Sequence, residues 1–454
     1  MKKQILIWLT VGLVGHLSLA GVHAAGDLKA GVGRAVLTPA QPIWLAGYAS
    51  RTAPSDGKVH DLFAKALAME DETGARTVLV TTDLVGLPVS VVHKTAEMAR
   101  ARFGLPRERI LFTFSHTHCG PVIHGDNLEN MYGLDETQSR VVADYSQTLP
   151  DRLLQAIGGA LNNLEPGRLE WGIGRAGFAV NRREYTLSGM INGLNHIGPV
   201  DHDVPVLKIS RPDGSLKAVV HGYACHNTTL SFQKLCGDYA GFSQAYLEEK
   251  LPGATALFVC GCGADANPQP RGKLELAQKY GAELGEAVLA ALGKPMTPVT
   301  GPIRAAFKEI PLAFSAPPSR ADLEKQLTNG SVHVQRRAKR LLRILDEKGA
   351  LPATYPYPIQ VWQFADSLTM TALAGEVVVD YSLRLKYELG RERTWVIAYA
   401  NDFVAYIPSL RVLREGGYEG GDSMVYFGHH GPWAPPIEQD ILKAVFELTG
   451  KAKK

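Results

Sequence analysis

Two histidines one residue apart, His116 and His118, stand in Ser115-His116-Thr117-His118-Cys119-Gly120-Pro121, directly after the apolar run Ile110-Leu111-Phe112-Thr113-Phe114. Side chains at i and i+2 of an extended segment share one face, so both imidazoles are expected to project from the end of a buried strand. Imidazoles converging on one point can hold a metal ion, and strand ends are where α/β proteins keep their chemistry. Hydrogen-bonded structural histidines are the alternative, and this stretch alone leaves both open.

Other polar residues stand just past apolar runs. Lys217–Ala224 reads as a strand ending in Cys225-His226-Asn227, which puts His226 where a ligand belongs, while His221 lies inside the strand as a core or edge residue. Ala254–Cys260 empties into Gly261-Cys262-Gly263-Ala264-Asp265-Ala266-Asn267-Pro268, a Gly-rich exit that lets a substrate approach the backbone closely and carries Asn267. Leu368–Gly375 leads to Glu376, and Trp395–Ala400 to Asn401-Asp402 and Tyr406. Arg182 follows the alternating segment Leu169–Arg175 and is either a carbonyl or carboxylate contact or a surface residue. Ala46-Gly47-Tyr48 and Arg51 form a polar loop able to wall a cleft. Asp238 reads as an N-cap and, less directly, as a partner for an imidazole.

The elements that must position these residues alternate between strands and helices. Thr77–Asp83, the helical spacing Val91–Phe103 and the run before His116 make a βαβ unit. Helices are expected over Val141–Leu161 and Leu274–Leu292, and a charged helical stretch on the outside over Pro317–Lys348. Asp201 and Asp203 read as turn formers. The fold class is therefore α/β, with mixed sheets, flanking helices and a metal site at strand ends. No repeat or linker interrupts the chain, which predicts one catalytic domain over residues 25–454.

With 48 Lys and Arg against 45 Asp and Glu in 454 residues, net charge is +3 and no long block of one sign occurs, so nothing points to nucleic acid. The partner is expected to be a small molecule, with peripheral lipid contact allowed and the oligomeric state left open. Lys2-Lys3, the apolar run Ile5–Leu19 and Val22-His23-Ala24 read as a signal peptide over residues 1–24, against the alternative of an uncleaved anchor. Export to the periplasm or beyond would let some of Cys119, Cys225, Cys236, Cys260 and Cys262 pair as disulfides, one at least staying unpaired.

Five motifs in order carry a resemblance: His116-Thr117-His118 with Gly120-Pro121, Asn181-Arg182, the His226 segment with Asp238 downstream, Ala374-Gly375-Glu376, and Tyr406 followed by Tyr418-Glu419-Gly420. The chain resembles the neutral (alkaline, non-lysosomal) ceramidase family. That resemblance implies one zinc ion per chain held by His116, His226, Glu376 and Tyr406, with His118, Arg182 and Tyr418 lining the reacting centre. Such a set suits attack of water on a carbonyl: two imidazoles and a carboxylate leave room for a water on the metal, and the nearby donors stabilise an oxyanion.

The sequence departs from the family pattern in three places. The serine proposed as nucleophile in the family's Gly-Asp-Val-Ser-Pro stretch is matched here by Asn267, whose amide can hydrogen-bond but cannot attack. Cys119 replaces a serine after the second histidine and is read as a structural thiol. The chain ends at Lys454, so the family's immunoglobulin-like C-terminal domain is expected to be missing. The expected activity is hydrolysis of an N-acyl amide by metal-activated water, with long-chain ceramide a poorer substrate than a smaller or more polar amide. A zinc esterase or lactonase, and a non-catalytic binding protein that keeps the fold, are the alternatives.

Overall fold

The structure, a computed structural model, describes residues 28–125 and 131–451. The signal-peptide reading over residues 1–24 lies outside them. Among the described residues no helix is long and apolar enough to cross a membrane.

A nine-stranded mixed sheet forms the centre, running in space Thr255–Cys260, Leu216–Tyr223, Asp203–Ser210, Glu165–Arg175, Leu28–Val36, Phe63–Glu70, Arg76–Thr82, Ile110–Phe114, with Thr297–Val299 paired to Glu165–Arg175. The expected βαβ unit is present: Arg76–Thr82 and Ile110–Phe114 pair in parallel and helix Val89–Phe103 connects them. At the other edge Leu216–Tyr223 and Thr255–Cys260 are also parallel, joined through helix Asp238–Lys250.

Strand alternation divides the core. In Phe63–Glu70 the small residues Ala64, Ala66 and Ala68 face the helices, whereas Leu67 and Met69 face the other way. Thr255–Cys260 repeats the division, with Ala256, Phe258 and Cys260 on one side and Leu257 and Val259 on the other. On the second face lies a four-stranded sheet, Ile303–Ala313, Thr354–Phe364, Leu368–Leu373 and Thr394–Ile397, whose Trp362, Phe364, Met370 and Trp395 fill the space between the sheets. Sheet packs on sheet on one side and helices pack on the other, as expected for layers that must bury two apolar faces.

The edges of the large sheet do not stay apart. Ala398 N–H donates to the Cys260 carbonyl (3.1 Å), Phe114 N–H to the Tyr399 carbonyl (3.1 Å) and Asn401 N–H to the Phe112 carbonyl (2.9 Å). The segment Ala398–Asn401 thus hydrogen-bonds both edge strands. Left-handed φ values of 51° at Tyr399 and 62° at Asn401 let it do so. Asn401 has a side-chain reason to tolerate that conformation, since its Nδ2 donates to Gln360 (2.9 Å) and its Oδ1 accepts from Phe112 N–H (3.3 Å).

Some sequence expectations change. The strand before the histidines ends at Phe114, and the chain turns at His116 with φ 61°, so an extended run to His118 does not form. Asp238 is not a conventional N-cap: it has φ 54°, and its carboxylate accepts from Tyr239 N–H (2.6 Å) and Leu230 N–H (2.8 Å), tying a loop to the helix start. Asp201 and Asp203 do more than form a turn, because Lys386 Nζ reaches both, at 2.6 and 2.9 Å, and Arg391 pairs with Asp203. All five cysteines are buried free thiols, so no disulfide forms among the described residues. The charged stretch is two helices, Arg320–Gln326 and Val332–Lys348.

Helix Glu136–Asn162 packs against Leu28–Val36 so closely that a Cβ on Gly31 would lie 2.1 Å from the Ala160 carbonyl oxygen. Backbone cannot yield there as a side chain could. Gly31→Val is expected to destabilise the fold by about 1–3 kcal/mol or more, measured as a lower urea midpoint with unchanged slope.

Candidate metal centre

His116, His118 and His226 meet, each offering a nitrogen within 4.8 Å of the others. The turn at His116 is held by its own N–H, which donates to the Leu84 carbonyl (2.9 Å). Its ring Nδ1 lies 2.7 Å from the Val85 carbonyl, and His226 Nδ1 lies 2.8 Å from the Gly263 carbonyl. A carbonyl only accepts, so each Nδ1 carries the proton and each Nε2 faces inward.

Both Nε2 atoms face one carboxylate oxygen. Glu376 Oε2 is 3.2 Å from His116 Nε2 and 3.0 Å from His226 Nε2, yet it is buried and receives no hydrogen bond. Burial, then the charge of Arg182, pushes His226 down to about 4, so its Nε2 bears a lone pair at neutral pH. The two Nε2 lone pairs and the Glu376 carboxylate face one another as acceptors and repel, and a cation among them removes the conflict. The spacing suits one: donors about 2.0–2.1 Å from a tetrahedral ion stand ~3.3 Å apart. Tyr406 Oη, 3.2 Å from His226 Nε2, extends the set. The residues present therefore fit a metal ion.

Glu376 and Tyr406 are positioned by backbone pairing. Glu376-Val377 and Tyr406-Ile407 form a two-residue parallel ladder in which Glu376 stands opposite Tyr406. Gly375, at φ 72°, brings its Cα so close that a Cβ would lie 2.4 Å from the Ala405 carbonyl oxygen. Only glycine fits at that turn.

His118 stands beside the set, its Nε2 3.1 Å from His116 Nε2. The loop singled out in the sequence holds it. Tyr48 meets its ring edge-on at 4.7 Å, Arg51 Nη2 donates to its carbonyl (2.7 Å), and a Cβ on Gly47 would fall 2.2 Å from its Cγ. Burial, together with His116 and His226, holds His118 well below the ordinary histidine range, so it is neutral.

Arg182 is buried, with Nη2 donating to Tyr406 Oη (3.0 Å), Nη1 to Asn267 Oδ1 (3.3 Å) and Nε to Glu419 (2.7 Å). The surface alternative for Arg182 is thereby removed. Asn267 Oδ1 also accepts from Thr228 (3.3 Å). Tyr418 lies against Tyr406, ring centroids 5.1 Å apart; Tyr426 lies against Tyr418, and His333 of helix Val332–Lys348 against Tyr426. This stack runs outward from the cluster to that helix.

His116, His118, His226, Glu376, Tyr406, Arg182, Asn267 and Tyr418 thus lie in or beside one cluster, whereas Asp238 is tied to Tyr239 and Leu230 N–H, His221 pairs with Ser243, and Asp201 and Asp203 pair with Lys386. Cys119 packs with Leu230, Cys236 and Ala277, away from the histidine rings, as a structural thiol would. Sequence reasoning missed the carbonyls of Val85 and Gly263, the ring of Tyr399 against His116 (4.5 Å) and the carboxylate of Glu419. Carbonyl contacts have no residue-type signature. Glu419 had one, its place next to Tyr418.

A family model described as neutral/alkaline non-lysosomal ceramidase, N-terminal, matches residues 28–270. The neutral ceramidase of Oryza sativa subsp. japonica is 24% identical over 256 residues, 55% of this chain and 32% of the relative. That of Drosophila pseudoobscura pseudoobscura is 24% identical over 269 residues, 56% of this chain and 37% of the relative. The matches thus span about a third of the length of these relatives. The crystal structure of neutral ceramidase from Pseudomonas aeruginosa superposes with a TM-score of 0.73 at 18% identity, over 95% of this chain and 76% of that one, a likeness of fold. With more than half of its residues inside the family match, the chain belongs to the neutral/alkaline non-lysosomal ceramidase family.

Proposed function

We propose that the protein is an exported zinc-dependent hydrolase that cleaves an N-acyl amide bond with water as the nucleophile. The observation that carries this reading is the convergence of His116 Nε2 and His226 Nε2 within 3.2 Å of Glu376 Oε2, beside the buried guanidinium of Arg182. His116, His226, Glu376 and Tyr406 are the residues that would hold the ion. When bound, zinc supplies Lewis-acid polarisation of a carbonyl and acidifies a water towards a pKa of ~7.

The chain's own groups do the rest. The free N–H groups of Arg182 and the phenol of Tyr418 donate to the oxygen that gains charge as the carbonyl is attacked. Burial, above all, raises the Tyr418 phenol above its ordinary range, so it stays a donor. His118, neutral, donates with Arg182 and Tyr418 to that oxygen, and the proton that water loses is delivered to the departing amine nitrogen as the C–N bond breaks. The products are a carboxylic acid and an amine. Asn267 spends its carbonyl oxygen on Arg182 and Thr228, which leaves its Nδ2 to position substrate.

Removing His226 takes away a neutral nitrogen ligand, so His226→Ala protein is expected to lose its tightly held zinc; one zinc per chain by elemental analysis in that variant would disprove the ligand assignment.

Because Asn267 positions and does not attack, Asn267→Ala should keep part of its turnover. Mass spectrometry after rapid quench should find no acyl-enzyme, and trapping one would refute attack by water.

Kinetics with and without chelator against N-acyl lipids, N-acetyl sugars, N-acyl amino acids and esters test the substrate class. Metal-dependent turnover of short or polar N-acyl amides, at kcat/KM above that for long-chain ceramide, is expected; ceramide well ahead would reverse the preference, and turnover of esters alone would replace the amide reading.

A further inference from the structure

Arg182 and Arg183 are neighbours on the strand Ala179–Thr186, and neighbours on a regular strand face opposite sides. Here both reach one carboxylate: Arg182 Nε donates to Glu419 Oε1 and Arg183 Nη1 to Glu419 Oε2, each at 2.7 Å. A register shift between Asn181 and Arg183 in the pairing with Gly189–Asn195 makes this geometry available. Such bulges re-aim side chains. Glu419 is delivered from the opposite direction by Gly416 and Gly417, at φ 70° and 74°, and a Cβ on Gly417 would lie 2.9 Å from the Met190 carbonyl oxygen. The chain doubles back onto the Arg182 hairpin only because glycine stands there.

We propose that Glu419 is a positioning residue that fixes the plane of the Arg182 guanidinium at the reacting centre, and that Arg183 in turn holds Glu419. The inference rests on the functional reading above. Glu419 and the two arginines are all buried, and Arg183 Nη2 is further tied to Glu415 (3.1 Å) and the Gly416 carbonyl (2.9 Å). Glu419 stays ionised: burial opposes this, but Arg182 and then Arg183 hold its carboxyl below the usual range.

A guanidinium has five N–H groups in a rigid plane. Nε goes to Glu419, one N–H of Nη1 to Asn267 and one of Nη2 to Tyr406, which leaves one on each Nη for a substrate oxygen. With Nε anchored, the direction of those two donors is set. Glu419 also gives Arg182 a counter-ion away from the metal cluster, so Arg182 does not compete with a metal ion for Glu376.

The experiment compares Glu419→Gln and Glu419→Asp in the native background and in Arg182→Met, using a short-chain N-acyl amide as substrate. Zinc content and thermal unfolding are measured for each protein. Glu419→Gln is expected to lower kcat about 100-fold, with KM changed less than about threefold and zinc retained. Glu419→Asp should recover part of kcat, and in Arg182→Met neither change should reduce kcat further. Equal losses in both backgrounds, or a loss that follows zinc or the folded fraction, would overturn the inference. A second arm does not depend on turnover: phenylglyoxal labelling read by mass spectrometry should find Arg182 protected in the native protein and labelled in Glu419→Gln below its unfolding temperature. Continued protection of Arg182 in that variant would overturn the positioning role. If the native protein hydrolyses neither amides nor esters, the functional reading fails while the labelling arm still decides the fixing of Arg182.

Discussion

Closure of the large sheet is the constraint on which the site depends. His116 follows one edge strand, and His226 follows a strand six places across the sheet, which in a flat sheet would separate them by about 29 Å at ~4.8 Å per strand. Their rings are instead 4.8 Å apart. Ala398–Asn401 makes the difference by hydrogen-bonding to Cys260 at one edge and to Phe112 and Phe114 at the other. The four-stranded sheet behind it, packed through Trp362 and Trp395, anchors that segment. A substitution that weakens packing between the two sheets therefore acts on the histidine cluster without touching it.

Within the closed sheet the polar atoms are fixed largely by backbone. Carbonyls of Val85 and Gly263 set the tautomers of His116 and His226, and a parallel ladder places Glu376 beside Tyr406. Backbone held inside a packed core has little freedom to relax, so the acceptors cannot turn away from one another when no cation lies between them. The left-handed turn at His116 is tolerated for the same reason: its N–H and ring are both tied to the segment Leu84-Val85.

Charge is balanced in separate compartments. Arg182 and Arg183 share Glu419, with Glu415 completing the group, while Glu376 is kept among imidazoles. In a separate group, Lys386 and Arg391 neutralise Asp201 and Asp203. Buried charges persist where each has a partner and its remaining hydrogen-bonding groups are met. Around Arg182 two N–H groups stay uncommitted among the described contacts, and Arg182 adjoins the histidine cluster through Tyr406.

The sequence by itself determined the local elements and which polar residues stand at the strand ends. Apolar runs located the strands leading to His116, His226, Asn267 and Glu376, because burial on both faces leaves an unbroken hydrophobic signature. Motif order pointed to the family. Tertiary structure decided which of these strand ends meet, since curling the sheet depends on contacts between residues nearly 300 positions apart, such as Phe114 with Tyr399. It decided that His116 and His118 converge through a turn at φ 61° and not by strand alternation, an outcome set by the Leu84 and Val85 carbonyls and invisible in residue types. It also decided the role of Glu419: its place in Tyr418-Glu419-Gly420 names no partner until a bulge and two glycines bring two arginines to it, because local pattern records how a chain is buried, and only the fold records what it is buried against.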